Sequence, residues 1–197
     1  LHSYDTMDGL YDCCWSEDSE NILISSSGDG SIKIFDTNAV DDVAQVSSLE
    51  EHTKEAYSVD FNLVGKDRFV SASWDNSIKL WSVDDVHSLE TYDEHKYCVY
   101  AAIWNPSSND LFASASGDYT LKIWDTNEIA SATTIKAHNF EILTCDWNKY
   151  NENIIVTGAV DKTIKIWDLR NPEQELNTLK GHTYGVRRVK CSPHDES

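Results

Sequence analysis

Positive charge is scarce in this sequence. Its 197 residues hold 16 Lys and Arg against 34 Asp and Glu, a formal net charge of −18. Phosphate recognition needs clustered Lys and Arg, so the balance argues against DNA, RNA or an anionic lipid surface as main partner. It favours a partner that brings positive charge. Long apolar runs are missing too. The longest, such as Ile22-Leu23-Ile24 and Ile154-Ile155-Val156, are strand-sized, far below the roughly 20 residues of a membrane-spanning helix. Insertion into a membrane is therefore not expected. The opening residues, Leu1-His2-Ser3-Tyr4-Asp5, lack the basic-then-apolar order of a secretory signal. Leu1 is not an initiator Met, and the expectation is a chain that begins inside a longer protein.

Cysteine spacing excludes further classes. Cys13, Cys14, Cys98, Cys145 and Cys191 are odd in number and form no C-x-x-C pair, which fits neither a disulfide framework nor a zinc module. They read as reduced, mostly buried thiols of a cytosol-like compartment. What the chain does have is aromatic mass. Seven Trp, nine Tyr, five Phe and a hydrophobic content of 40% are too rich for a disordered acidic chain. It folds and buries aromatics.

Internal repetition organises the chain. Gly28-Asp29-Gly30-Ser31-Ile32-Lys33-Ile34-Phe35-Asp36 is echoed by Trp74-Asp75-Asn76-Ser77-Ile78-Lys79-Leu80-Trp81-Ser82. Gly117-Asp118-Tyr119-Thr120-Leu121-Lys122-Ile123-Trp124-Asp125 and Val160-Asp161-Lys162-Thr163-Ile164-Lys165-Ile166-Trp167-Asp168 follow the same pattern. The leading Asp residues are spaced by 46, 43 and 43, and His52, His95, His138 and His182 by 43, 43 and 44. In the three complete units His precedes Asp by 23 and Trp by 29. A period near 43 with a histidine dipeptide at one end and Trp-Asp at the other is the WD-repeat pattern.

Each unit also alternates as strands do. In the third, Val99–Trp104, Leu111–Ser116 and Thr120–Trp124 are three β runs, separated by turns at Asn105–Asp110 and Gly117–Tyr119. A fourth, outer strand is expected at Ala132–Ile135. Four antiparallel strands per unit make one propeller blade. The fold class is all-β, a partial WD-repeat β-propeller with repeats at about 8–37, 52–82, 95–126 and 138–169 and a truncated fifth at 182–197. By its period the chain holds about 4.6 units, and because an unclosed ring exposes sheet edges and apolar faces, it reads as an internal piece of a propeller of six or seven blades.

Recurrent His, Asp and hydroxyl residues invite a catalytic reading. The resemblance to WD repeats implies a different one, a buried hydrogen-bond network within each blade. The matching sets are His52/Ser71/Asp75/Trp81, His95/Ser114/Asp118/Trp124 and His138/Thr157/Asp161/Trp167. An active site would occur once, whereas this constellation recurs three times; no enzyme, catalytic residue, metal site or cofactor is expected. The first unit departs from the set, with Thr6 where the histidine would stand and Phe35 in place of Trp.

The residues outside the skeleton are more specific. Glu141-Ile142-Leu143-Thr144-Cys145-Asp146-Trp147-Asn148-Lys149-Tyr150-Asn151-Glu152-Asn153 runs towards Val156-Thr157-Gly158-Ala159-Val160-Asp161 and Trp167-Asp168-Leu169-Arg170-Asn171. Gly181-His182-Thr183-Tyr184-Gly185-Val186-Arg187-Arg188-Val189-Lys190 follows, and Asp8-Gly9-Leu10-Tyr11-Asp12 and Glu51-His52-Thr53-Lys54-Glu55-Ala56-Tyr57-Ser58-Val59-Asp60 lie earlier. Together these resemble the type-two peroxisomal targeting signal receptors, a family of WD-repeat peroxins. The resemblance implies a cytosolic receptor without catalytic activity that shuttles to the peroxisome. It would bind an N-terminal signal on cargo proteins, a short amphipathic helix with a basic residue and bulky aliphatics. An import co-receptor and a peroxisomal docking complex are the further partners it implies.

A propeller presents ligands on the face where each blade's first strand begins. Residues shortly after each His point there: Glu55 and Tyr57, Tyr100, Glu141 and Leu143, and Arg187. Asp8 has a neighbouring place, and Trp74 precedes a turn Asp. The resemblance assigns Asp8 and Glu55, both expected to be exposed, to the basic residues of the signal. Tyr57, Trp74 and Tyr100 are candidates for its aliphatic face, and Glu141 completes the candidate set. Arg187 and Arg188 are expected to pair with acidic neighbours, and the loops Val40-Asp41-Asp42 and Val83–Val86 read as solvating charge. The competing reading is another acidic WD scaffold, such as a histone-binding chromatin-assembly propeller, which also takes basic helical ligands.

Overall fold

The computed structural model describes residue 6, residues 8–39 and residues 45–194. The opening residues 1–5 and the Val40-Asp41-Asp42 loop lie outside the described residues. Among the described residues sixteen strands form four separate antiparallel sheets of four, each in chain order. The first contains β1 (Leu10–Trp15), β2 (Ile22–Ser27), β3 (Ile32–Asp36) and β4 (Gln45–Leu49). The second contains β5 (Ala56–Phe61), β6 (Arg68–Ser73), β7 (Ile78–Ser82) and β8 (Glu90–Tyr92). The third runs through β9 (Val99–Trp104), β10 (Leu111–Ser116), β11 (Thr120–Asp125) and β12 (Thr133–Lys136), its outer strand one residue later than the sequence suggests. The fourth runs through β13 (Ile142–Trp147), β14 (Ile154–Ala159), β15 (Thr163–Asp168) and β16 (Asn177–Lys180). No helix among the described residues is long and apolar enough to cross a membrane.

The core lies between sheets. Ile24, Ile32, Ile34 and Leu49 of the first pack on Val59, Phe61, Phe69 and Trp81 of the second. Val70, Leu80 and Tyr92 of the second then meet Trp104, Phe112 and Trp124 of the third. The third and fourth share Ile123, Ile135, Trp147, Ile155 and Trp167. The inner strands β1, β5, β9 and β13 lie against one another in that order, and all four line one central cavity. This is the arrangement of a partial β-propeller. Residues 182–194 form no strand but run from the end of β14 along β13: Val186 N–H donates to Ala159 O at 2.9 Å, Val189 N–H to Thr144 Oγ1 at 3.3 Å and Cys191 N–H to Asp146 Oδ2 at 2.7 Å. The far side of the fourth sheet is a cleft lined by Ile154, Val156, Ile164, Ile166, Leu176 and Leu179.

Each middle hairpin turns on its aspartate. Asp75 Oδ1 accepts the N–H of Ser77 at 2.9 Å and its hydroxyl at 2.6 Å, and Asp29, Asp118 and Asp161 do the same for residues 31, 120 and 163. The residue after each Asp takes positive φ: Gly30 88°, Asn76 76°, Tyr119 72° and Lys162 71°. That is the left-handed position of a three-residue hairpin loop. Only at residue 30 is glycine also required by space, since a Cβ would fall 2.7 Å from Lys54 O and 2.8 Å from His52 O.

In the second to fourth sheets the hairpins are locked from beneath. His52 Nδ1 meets Asp75 Oδ2 at 2.9 Å and its Nε2 meets Ser71 Oγ at 2.7 Å, while Trp81 Nε1–H donates to Ser71 Oγ at 2.8 Å. His95, Ser114, Asp118 and Trp124 repeat this at 2.7–2.8 Å, and His138, Thr157, Asp161 and Trp167 at 2.8–3.0 Å. With the imidazole proton on Nδ1, every donor in the chain Trp–hydroxyl–His–Asp has an acceptor, so the buried set is fully paired. In the first sheet Ser25 Oγ is buried with no partner, and Thr6 turns its hydroxyl to Asp8 O at 2.8 Å. Lys33 takes over the turn aspartate there, with Nζ 2.8 Å from Asp29 Oδ2.

Glu51 and Glu94, which precede two of the histidines, have a role the sequence did not suggest. Each accepts a lysine from the third strand, Lys79 at 2.9 Å and Lys122 at 2.7 Å, and a serine hydroxyl, Ser88 at 2.6 Å and Ser131 at 2.7 Å, from the outer loop. Lys122 and Ser131 hold the Glu94 carboxyl down at about 2. The thiols correct another expectation. All five cysteines are free, but only Cys145 is buried and Cys13 is exposed. Cys13 lies on β1 at the wide central cavity rather than between sheets.

Candidate functional site

Equivalent places on the sheets are set by one backbone bond. Gly28 N–H donates to Gly9 O at 2.9 Å, Trp74 to Glu55 O at 3.0 Å, Gly117 to Cys98 O at 2.9 Å and Val160 to Glu141 O at 2.9 Å. Glu55 and Glu141 are thus counterparts, and Asp8 stands one residue earlier, in the place of Lys54, Tyr97 and Phe140. Asp8 is exposed, and its Oδ1 accepts Gly9 N–H at 2.7 Å. Its carboxyl folds over Gly28, where a Cβ would lie 3.2 Å away. Glu55 is half-buried rather than exposed; the residues just before it, His52 and Lys54, have their carbonyls closed over by the first-sheet hairpin at Gly30.

Two residues beyond that bond lies a ring of side chains around the mouth of the central cavity: Tyr11, Tyr57, Tyr100, Leu143 and Arg187. Strand alternation sends this position inward. Three of the rings and Trp74 form one aromatic surface. Centroids are 5.0 Å apart for Tyr11–Tyr57, 5.8 Å for Tyr57–Trp74, 5.5 Å for Tyr57–Tyr100 and 6.1 Å for Trp74–Tyr100. The structure therefore brings Tyr57, Trp74 and Tyr100 together and keeps them half-buried at the face, not in the core between sheets. It adds Tyr11, 48% exposed, which sequence counting missed. The first unit has no histidine to count from, although Leu10-Tyr11 matches Ala56-Tyr57 once the strand starts are aligned. Trp74 fills a place held by Gly28 and Gly117 in the adjoining units, and its Nε1 is buried without a partner.

The charged members are differently engaged. Tyr100 donates its hydroxyl to Glu141 Oε2 at 3.2 Å; burial and that carboxylate push the Tyr100 hydroxyl up, so it stays a donor. Arg188 pairs with Asp12 at 3.3 Å across the cavity. Arg187 departs from the expected acidic pairing and instead donates to Tyr57 Oη at 3.5 Å, since the nearest groups at the mouth are phenolic. Deeper in the cavity, Asp60 Oδ2 accepts Trp104 N–H at 2.7 Å, joining the second sheet to the third. Burial pushes the Asp60 carboxyl up to about 7, against the pull of Trp104 N–H and of Lys190 and Lys149. No group of His, Cys, Asp and Glu among the described residues is arranged to hold a metal.

This arrangement is an open aromatic surface flanked by the carboxylates of Asp8, Glu55 and Glu141. Comparison with known proteins agrees with the fold. The family described as WD domain, G-beta repeat matches residues 1–36, 44–82, 86–125 and 130–168. The chain is 75% identical over 195 residues to the Peroxisomal targeting signal 2 receptor of Dictyostelium discoideum, covering 99% of this chain and 62% of that protein. It is 52% identical over 80 residues to Peroxisome biogenesis protein 7 of Arabidopsis thaliana, which covers 41% of this chain and 25% of that protein. The same shares, at 48% identity over 82 residues, hold for the Peroxisomal targeting signal 2 receptor of Homo sapiens. The chain thus spans less than two thirds of the length of these relatives; it is similar to peroxisomal targeting signal 2 receptors, and it belongs to the WD-domain, G-beta-repeat family.

Proposed function

We propose that the chain is the signal-holding part of a receptor for the type-two peroxisomal targeting signal. It receives a basic amphipathic helix at the N-terminus of a cargo protein on the face where β1, β5, β9 and β13 begin. One observation carries this reading of the site: the aromatic surface of Tyr11, Tyr57, Trp74 and Tyr100 lies at the same end of the sheets as Asp8, Glu55 and Glu141. Such a surface offers apolar contact to the aliphatic side of a helix and carboxylates to its basic side chain. The names of the relatives support the same class. In this reading the receptor works in the cytosol, encloses the signal with a co-receptor, delivers cargo to a docking complex at the peroxisome, and catalyses nothing.

The test is binding of a peptide carrying the type-two signal, measured beside a histone-tail peptide. A charge-assisted hydrogen bond contributes about 1.5–3 kcal/mol, so Asp8→Lys or Glu55→Lys in the full chain is expected to weaken signal binding at least about ten-fold with the folded spectrum retained. Binding of the histone tail alone refutes the proposal. Unchanged affinity in both variants refutes the assignment of the face.

A further inference from the structure

The opposite ends of the sheets carry a second regular construction. There each inner strand passes to the next strand through a loop shaped by its first residue. Asn62 Oδ1 accepts the N–H groups of Val64 and Gly65, both at 2.8 Å. Asn105 Oδ1 accepts Ser107 N–H at 2.9 Å, Asn148 Oδ1 accepts Tyr150 N–H at 2.8 Å, and Ser16 Oγ accepts Asp18 N–H at 3.2 Å. Such side-chain-to-backbone bonds fix a turn from within. Two of the loops are also tied to the next sheet, Asn62 Nδ2 donating to Asn109 O at 2.7 Å and Asn105 Nδ2 to Glu152 O at 3.1 Å. The frame repeats, but what it displays does not. The two places after the shaping residue hold Glu17-Asp18, Leu63-Val64, Pro106-Ser107 and Lys149-Tyr150.

The turn itself asks for no aliphatic there, since its bonds are made by backbone N–H groups, and acidic, basic and small residues hold the same places in the other loops. Leu63 and Val64 are nonetheless 45% and 47% exposed, on a loop already fixed by Asn62. Beside them, on the adjoining first sheet, Glu17, Asp18 and Glu20 are exposed as well, so aliphatic surface and negative charge adjoin. We propose that this end of the sheets is a second docking surface, for a segment of a partner protein that is both aliphatic and basic. Its apolar side chains seat on Leu63 and Val64, and its Lys or Arg residues face Glu17, Asp18 and Glu20. A fixed loop loses little freedom on binding, and the charge decides among occupants. An anionic lipid surface is repelled by the same carboxylates, and a second copy of this chain brings a net charge of −18. The surface lies at the far ends of β1 and β5 from Asp8 and Glu55, so a partner held here leaves the aromatic face open.

The experiment uses the full chain and two synthetic amphipathic helices of one pattern, the first of Leu and Lys and the second of Leu and Glu. Each carries a photoreactive residue among its leucines, and labelled residues are located by mass spectrometry. The Leu–Lys helix is expected to label the loops 16–21, 62–67 and 105–110, and the Leu–Glu helix to leave them unlabelled. Leu63→Ser/Val64→Ser takes two half-exposed aliphatics out of the contact. Labelling of loops 16–21 and 105–110 should then fall about ten-fold, with the melting temperature and any labelling of the aromatic face unchanged. The contrast between the two helices is read on the wild type and needs no variant. Loops labelled by both helices alike, loops labelled by neither, or labelling that survives Leu63→Ser/Val64→Ser overturns the proposal.

Discussion

Removing one hydroxyl at the same place in two sheets is expected to have unequal consequences. Ser114 and Ser25 hold equivalent register: Ser114 faces Lys122 and Ala102, and Ser25 faces Lys33 and Cys13. Ser114 Oγ donates to His95 Nε2 at 2.7 Å and accepts from Trp124 Nε1 at 2.8 Å. Ser114→Ala leaves two buried groups unpaired at about 1–3 kcal/mol each, a loss of about 2–5 kcal/mol in all once the two are taken together. Ser25 Oγ is buried with no partner to lose, so Ser25→Ala removes an unpaired hydroxyl and is expected to leave stability unchanged or to raise it by up to about 1–3 kcal/mol. Repeat arrays need not unfold in one step. Urea unfolding by tryptophan fluorescence is therefore paired with native-state hydrogen exchange, which reads each sheet separately. Equal losses in the two variants would refute the account of the network, because they would mean that the serine stabilises through packing alone.

Three further outcomes are expected. Gly158→Ala places a Cβ 2.7 Å from Val186 Cγ1 and 2.9 Å from Thr144 Cγ2, so about 1–3 kcal/mol of overpacking should lower the melting temperature and expose residues 182–194 to protease; an unchanged melt and cleavage pattern contradicts this. Asp60 is pushed up to about 7 in the fold, so the folded state holds a proton that the unfolded state releases near pH 4, and wild-type stability should fall between about pH 4 and 7. Asp60→Asn, which keeps the acceptor for Trp104 N–H, should therefore gain on the wild type as pH rises through that window; a parallel pair of stability curves contradicts it. Asp75 and Asp118 slope the other way. Although burial opposes it, His52 and His95 hold these carboxyls well below the ordinary range, so their contribution is complete above about pH 4 and is lost on further acidification, more steeply in the wild type than in Asp118→Asn.

The repeat was legible because the histidine, aspartate and tryptophan spacing reports geometry directly. A strand–turn–strand of fixed length fixes how far His95 stands from Asp118 and Trp124, and the structure joins His95 to Asp118 directly and to Trp124 through the Ser114 hydroxyl. Tyr57 and Tyr100 were legible as members of one face from their places shortly after a histidine, and Trp74 from its place before a turn aspartate. Tyr11 was not, since the unit that carries it lacks the histidine from which the others are counted. The half-burial of Glu55 and the contact of Arg187 with Tyr57 depend on how neighbouring sheets lean together around the cavity, which no single repeat encodes. The Glu51 and Glu94 straps were hidden for a similar reason: they join residues 37 apart whose meeting depends on the path of the outer loop.

The central claim is that the signal lies on the aromatic face where the inner strands begin. It is tested most directly by cross-linking. A signal peptide carrying a photoreactive group on its apolar side, bound to the full chain and illuminated, should label peptides containing Tyr11, Tyr57, Trp74 or Tyr100. Labelling confined to the opposite ends of the sheets, at the exposed Trp15, Leu63 or Tyr150, would contradict it.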